Sequence, residues 1–136
     1  MTKSLYSNQD GIRIKDPYIG DELRVLLEMS VYANGRTCIS ANSYYIPEFG
    51  IWEPYLKLTV NVPLAELSDE KCAFLNMPHK QELVDGVVRY VPMNSGYIAD
   101  MMDEYHLGIP TGRFVDSGMC EYPEYRLDME QIKKYT

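Results

Sequence analysis

A long alternation of apolar and polar side chains between Glu22 and Ala33 constrains the fold more than any other feature. The apolar parity holds Leu23, Val25, Leu27, Met29 and Val31. Period two over this length predicts a β-strand with one buried face and one solvent face. Asn34-Gly35 follows directly and is a strong hairpin signal, because both residues tolerate positive φ. We therefore expect residues 36–45 to return as a second, antiparallel strand.

Further strands are predicted downstream. Residues 55–62 alternate in the same way and end at Pro63, which cannot donate to a ladder. The sequence predicts a short strand over residues 71–76, a loop over residues 78–82, and a strand over residues 83–91 around Gly86. Residues 113–116 and 119–127 suggest two short strands around Ser117-Gly118.

One segment, Asn94 to Leu107, predicts a clear helix. Its apolar stripe is formed by Ile98, Met101, Met102 and Tyr105. Gly108 suits the position after the helix, and Pro110 prevents continuation. A terminal helical turn is expected over residues 128–135.

Consecutive hairpins followed by a late helix predict an α+β fold. We expect an antiparallel sheet of about five or six strands with one main α-helix packed on one face. The 136 residues suit one domain, with residues 1–21 as an N-terminal arm and residues 22–136 as a single α+β domain.

Composition favours a cytoplasmic protein. No apolar run reaches the length of about eighteen residues that a membrane span needs, and the polar N-terminus shows no signal peptide. Three widely spaced cysteines, Cys38, Cys72 and Cys120, favour reduced thiols. We expect no membrane association.

Negative charge is concentrated late in the chain. The net charge is −7, and residues 100–130 hold eight acidic residues against Arg113 and Arg126. Such a surface repels free nucleic acid and attracts a basic protein partner. A solvated face that maintains solubility is the simpler alternative.

The usual signatures of catalysis are missing from the sequence. The two histidines, His79 and His106, have no second ligand at metal spacing. Neither a dinucleotide-binding fingerprint nor a phosphate-binding loop is present. We therefore expect a binding protein without enzymatic activity, metal or cofactor.

Two segments look like binding sites. A Pro-Thr-Gly turn after the helix aims Arg113, whose planar fork suits carboxylate or phosphate, although it also suits a local acid. The segment Glu121–Arg126 contains Pro123, which predicts an edge strand. Its tyrosines and arginine are residue types that dominate interface energetics. An ordinary edge strand without a binding role is the simpler alternative. The candidate binding residues are Trp52, Tyr55, Thr111, Gly112, Arg113, Glu121, Tyr122, Glu124, Tyr125 and Arg126.

Residues 53–63, Pro110–Arg113 and the Ser117-Gly118…Glu121…Arg126-Leu127 ending resemble the family called domain of unknown function 4313. The resemblance implies a small acidic protein of Gram-positive conjugative elements and prophages, acting in the bacterial host cytoplasm. Accessory proteins of such elements often neutralise host defences. We therefore expect an inhibitor of a host defence effector, of the anti-CRISPR or anti-restriction type.

Two alternatives remain open. One is a sponge that sequesters a nucleotide immune signal, with Arg113 and tyrosines forming its pocket. The other is an uncharacterised accessory protein of a conjugative element. A homodimer is compatible with an edge strand near Pro123 and with twelve tyrosines, which suit interfaces.

Overall fold

A computed structural model describes residues 11–16, 21–46, 51–93 and 97–136. These residues form ten strands and two helices, in two sheets in which every pairing is antiparallel. The elements are β1 (Ile12–Asp16), β2 (Asp21–Val31), β3 (Thr37–Ile46), β4 (Ile51–Lys57), β5 (Thr59–Val60), β6 (Cys72–Leu75), β7 (His79–Val84), β8 (Val87–Pro92), α1 (Tyr97–Glu104), β9 (Gly108–Ser117), β10 (Cys120–Leu127) and α2 (Met129–Lys133). The expected antiparallel architecture is confirmed, but two sheets replace the single one.

The first sheet has the order β1-β2-β3-β4. The predicted hairpin between β2 and β3 is confirmed, because Gly35 has φ +85° and the Tyr32 amide donates to the Arg36 carbonyl at 2.8 Å. Residues 12–16 of the expected arm form β1, in which Ile12 is fully buried and pairs with Val25. Residues 1–10 and 17–20 lie outside the described part of the chain.

The chain passes from one sheet to the other at Leu58. Its amide donates to the Ile39 carbonyl of β3 at 2.8 Å, and its carbonyl accepts from Asn76 at 2.7 Å. The prediction of one continuous strand over residues 55–62 is therefore wrong, since β4 and β5 belong to different sheets. A period of two shows which side chains are buried, but it does not show which sheet a residue joins.

The second sheet is organised around β10. Along one edge β10 pairs with β9; along the other it pairs with β7 at Glu121 and with β6 from Glu124 to Arg126. The two strands predicted around Ser117-Gly118 and the short strand over residues 71–76 are confirmed. Strand β9 begins already at Gly108, however, so the expected turn at Pro110-Thr111-Gly112 is wrong and these residues lie within a strand. Strand β6 is buried at every residue, as expected for a strand near the centre of a sheet.

Strands β7 and β8 form a second two-residue hairpin. Asp85 and Gly86 connect them with φ of 53° and 80°, and Val84 pairs with Val87. The predictions of a loop over residues 78–82 and of one strand over residues 83–91 are both wrong. Almost all side chains of the hairpin are exposed on both faces, so no buried parity produces an alternating pattern.

Both sheets and both helices contribute to one apolar core. The predicted stripe of α1 buries Ile98, Met101 and Met102, while residues 94–96 of the expected helix lie outside the described residues. The terminal helical turn is confirmed as α2, whose N-cap Asp128 accepts a hydrogen bond from the Gln131 amide at 3.1 Å. The core residues from the strands include Ile12, Val25, Leu27, Ile39, Ala41, Leu58, Ala73, Leu75, Tyr125 and Leu127.

Candidate functional site

A bulge in β9 brings four of the predicted site residues together. Phe114 pairs with Pro123 and Pro110 pairs with Tyr125, so residues 111–113 stand opposite the single residue Glu124. Gly112 adopts φ +92°, a conformation that favours glycine, and thereby allows the strand to bend. Because of this bend, the side chains of Thr111 and Arg113 both reach Glu124.

The carboxylate of Glu124 has no solvent-exposed surface and accepts four hydrogen bonds. Oε1 accepts from Thr111 Oγ1 at 2.7 Å and from Ser68 Oγ at 2.6 Å. Oε2 accepts from the Ser68 amide at 2.7 Å and from Arg113 Nη1 at 3.0 Å. Burial alone raises the pKa of Glu124, but the hydrogen bonds from Ser68 and Thr111 and the charge of Arg113 outweigh burial and lower it. The Glu124 carboxylate is therefore charged, and each of its two oxygens accepts two hydrogen bonds.

The same network holds the segment 61–71 against the sheet. Arg113 Nη2 donates to the Glu66 carbonyl at 2.8 Å. From the other side Arg36 donates to the Val62 carbonyl at 2.8 Å and also to the Ala65 carbonyl. The guanidinium of Arg113 is thus engaged with protein groups. Sequence reasoning missed Ser68 and Glu66, because no motif distinguishes them from other residues in a loop.

The remaining predicted residues of β10 do not form one exposed site. Tyr125 is buried in the core and Tyr122 is half-buried. Arg126 Nη1 lies 2.5 Å from Asp69 Oδ2, and Glu121 accepts a hydrogen bond from Gln81 at 2.9 Å.

The expected edge strand near Pro123 is wrong, because β10 is paired along both sides. Pro123 lies between the part of β10 that pairs with β7 and the part that pairs with β6, where a missing N–H is tolerated. Trp52 and Tyr55 belong to β4 in the other sheet, and their side chains lie outside the described residues.

The most exposed apolar area lies on the β7–β8 hairpin. Among the described residues, six of ten exposed large hydrophobic side chains fall within residues 83–93, and Leu83 is 75% exposed. We call this area the hairpin surface; its residues are Leu83, Val84, Val87, Val88, Tyr90 and Met93. Exposed apolar side chains clustered on one element are typical of protein interaction sites.

Aromatic contacts attach the base of the hairpin to β9. The ring of Tyr90 stacks on Phe114 with centroids 4.2 Å apart, and His79 contacts Phe114 edge-on at 5.0 Å. The Gln81 amide donates to Glu121 of β10. The hairpin surface is therefore presented by an ordered element, which reduces the entropic cost of binding.

Strand β8 lies at the edge of its sheet, and within the described part of the chain β7 is its only strand neighbour. In a two-residue hairpin with positive φ at both turn positions, the flanking residues Val84 and Val87 exchange both backbone hydrogen bonds. Along each strand, residues whose N–H and C=O groups face the partner strand then alternate with residues whose groups face outward. Val88 and Tyr90 consequently direct their N–H and C=O groups away from β7.

The acidic residues in the last third of the chain lie in different environments. Glu124 is buried, whereas Asp100, Asp103 and Glu104 are exposed on α1. An open pocket of about 700 Å³ lies between the ends of α1 and α2. Its charged lining residues are Lys71, Asp103, Arg126, Asp128 and Glu130. The pocket combines both signs of charge and is not uniformly acidic.

Within the described ranges, no group of three His, Cys, Asp or Glu side chains is arranged to hold a metal ion. No helix in those ranges has the length and apolar character needed to cross a membrane.

The sequence profile of domain of unknown function 4313 (DUF4313) matches residues 26–136. The chain belongs to this family. The DUF4313 region begins within β2 and extends to the last residue, so the resemblance over residues 53–127 is confirmed and extended. No curated protein and no solved structure matches the chain significantly.

Proposed function

We propose that this DUF4313 protein is a non-enzymatic binding protein that attaches to another protein through the hairpin surface. The clustering of exposed apolar side chains on one ordered hairpin is the observation that carries the proposal. Leu83 and Val88 pair across the hairpin, and Val84 pairs with Val87, so each face of the hairpin offers an apolar pair.

Apolar burial supplies part of the free energy of association. Full burial of one Leu or Val side chain contributes roughly 1.5–3 kcal/mol, and the six side chains of the hairpin surface are between 37% and 75% exposed in the free protein. Association costs on the order of 4–15 kcal/mol. Micromolar or tighter binding therefore requires additional contacts at the rim and a preformed hairpin.

The more specific form of the proposal is inhibition of a host defence effector by surface binding, in a protein carried by a mobile element. Membership of DUF4313 supports this context only through the resemblance described above. Charges on residues 79–92 are balanced, since Lys80 and Arg89 offset Glu82 and Asp85. The hairpin therefore suits an apolar patch on the effector, while the exposed acids of α1 provide long-range attraction to a basic protein.

No observation favours a nucleotide pocket at Arg113. Its guanidinium already donates to Glu66, Ser68 and Glu124. We therefore do not include nucleotide capture in the proposal.

Affinity capture from a host lysate tests the proposal. Tagged wild-type protein is compared with Leu83→Lys, which places a charge in the hairpin surface, and with Leu64→Lys at a fully exposed position in another part of the chain. We expect wild type and Leu64→Lys to retain the same partner protein, and Leu83→Lys to lose it. Capture that is unchanged by Leu83→Lys, or lost equally in both variants, contradicts the proposal.

A further inference from the structure

Among the described residues, the outer edge of β8 is the part of the hairpin whose backbone hydrogen-bonding groups have no strand partner. Val88 and Tyr90 each direct one N–H and one C=O outward, as derived above from the turn at Asp85-Gly86. Natural proteins cover or disrupt an exposed apolar edge, because it recruits other strands. The side chains of β8 are exposed along almost its whole length, so the edge is accessible.

We propose that β8 pairs antiparallel with β8 of a second copy of this chain, with Val88 on the two-fold axis. In this register Val88 lies opposite Val88 of the second copy, and Tyr90 lies opposite Gly86 of the second copy. Val87 lies opposite Arg89 of the second copy.

The geometry selects this register over the two other symmetric ones that use the outward groups. Centring the axis on Arg89 sets two guanidinium groups directly opposite each other, which is destabilising. Centring it on Tyr90 sets Val88 opposite Pro92, which has no N–H to donate. With Val88 at the centre, Arg89 instead lies opposite Val87 of the second copy, and Asp85 and Arg89 of that copy occupy the two diagonal positions.

Charge explains why a second copy can approach at this edge. The whole chain has a net charge of −7, so two copies repel each other over most of their surface. Residues 79–92 carry two basic and two acidic side chains and are neutral. Lys80 and Glu82 form an ion pair at 3.2 Å, and Glu82 also lies opposite Arg89 in the register of the hairpin.

Pairing through β8 enlarges the hairpin surface. The order becomes β7-β8-β8-β7, and Leu83, Val88 and Tyr90 of both copies share one face of the extended sheet. Closed two-fold dimers of this kind are the commonest protein oligomers. The inference shares the hairpin surface with the proposed function, but self-pairing does not require a host partner.

Sedimentation velocity over a micromolar concentration series tests the dimer. We expect wild type to sediment as a species of twice the 15.7 kDa chain mass. Val87→Arg sets like charges opposite each other twice per dimer, and we expect it to raise the dimer dissociation constant by about tenfold or more. Val87→Glu instead sets a carboxylate opposite Arg89 of the second copy, and we expect a dissociation constant within about threefold of wild type or lower. Leu64→Arg, far from the hairpin in sequence and fully exposed, is the control and leaves dimerisation unchanged.

A second variant distinguishes loss of dimerisation from loss of folding. Val88→Pro removes an outward N–H without removing a bond to β7, and it produces a folded monomer by circular dichroism and sedimentation. A monomer at every wild-type concentration overturns the inference. Equal weakening by Val87→Arg and Val87→Glu overturns the register. A wild-type protein that forms the dimer but captures no host protein contradicts the proposed function alone.

Discussion

Arg113 Nη1 lies 3.0 Å from Glu124 Oε2, in an ion pair whose carboxylate is completely buried while the arginine side chain remains 45% exposed. The two residues stand on neighbouring strands, where the β9 bulge aligns them. Ser68 and Thr111 complete the bonding of the carboxylate. This arrangement fixes the segment 61–71 on the sheet, so the network is expected to act on stability.

Replacing Glu124 by Gln should lower the free energy of unfolding by about 2–4 kcal/mol. The amide cannot accept hydrogen bonds at its nitrogen and leaves Arg113 without its counter-charge, and loss of one partner from a buried pair is strongly destabilising. Urea unfolding followed by circular dichroism measures the change. Glu121→Gln on the same strand is the control; because Glu121 is half-buried and contacts Gln81, we expect a loss below about 0.5 kcal/mol. Equal effects of the two variants contradict the prediction.

The lowered pKa of Glu124 should make stability depend on pH. In the unfolded chain the carboxyl has an ordinary pKa of 4.5, and in the folded chain its pKa lies below that value. The stabilisation is therefore present above the unfolded pKa and is lost as the pH falls through the folded pKa. The slope of unfolding free energy against pH in the acid range should be smaller in Glu124→Gln than in wild type. Superimposable slopes would disprove the assignment.

Thr59→Val should cost about 1–3 kcal/mol of unfolding free energy. The buried Thr59 hydroxyl accepts from the Ile39 amide at 3.1 Å and is hydrogen-bonded to the Tyr32 hydroxyl at 3.0 Å. Valine preserves the shape but removes the acceptor from a buried donor. Thr59→Ser keeps the hydroxyl and should retain more stability than Thr59→Val in thermal unfolding; the opposite order refutes the role of this hydrogen bond.

Leu58→Ala should destabilise the fold by about 2–5 kcal/mol. Leu58 is only 2% exposed, at the point where the chain passes between the two sheets. Leu64→Ala is a matched control, because the same atoms are removed from a side chain that is 100% exposed. Denaturant midpoints of the two variants provide the comparison, and a midpoint for Leu58→Ala close to that of Leu64→Ala is incompatible with the described core.

Sequence patterns predicted the elements that have one buried face. The β2–β3 hairpin and the stripe of α1 each follow a period that burial imposes. The β7–β8 hairpin was missed, since its side chains are exposed on both faces and share no period. The separation of β4 from β5 at Leu58 was also missed, because the transfer between sheets depends on long-range pairing.

The candidate site was predictable in its residue types but not in its arrangement. Thr111, Arg113 and Glu124 were selected from the sequence, yet their contact depends on a bulge in β9 and on Ser68 from a distant loop. The Asp85-Gly86 dipeptide is a hairpin signal of the same kind as Asn34-Gly35, but the exposure of the hairpin surface has no sequence signature beyond the short apolar run around that dipeptide. Its exposure results from the position of β8 at the edge of the sheet.

Photo-crosslinking inside the host cell tests the central claim, binding through the hairpin, most directly. A photoreactive phenylalanine analogue replaces Leu83 in one variant and Leu64 in a control variant. We predict that illumination links position 83, but not position 64, to a distinct host protein identified by mass spectrometry. If position 83 yields no adduct with a host protein, or both positions yield the same adducts, the proposed binding function is contradicted.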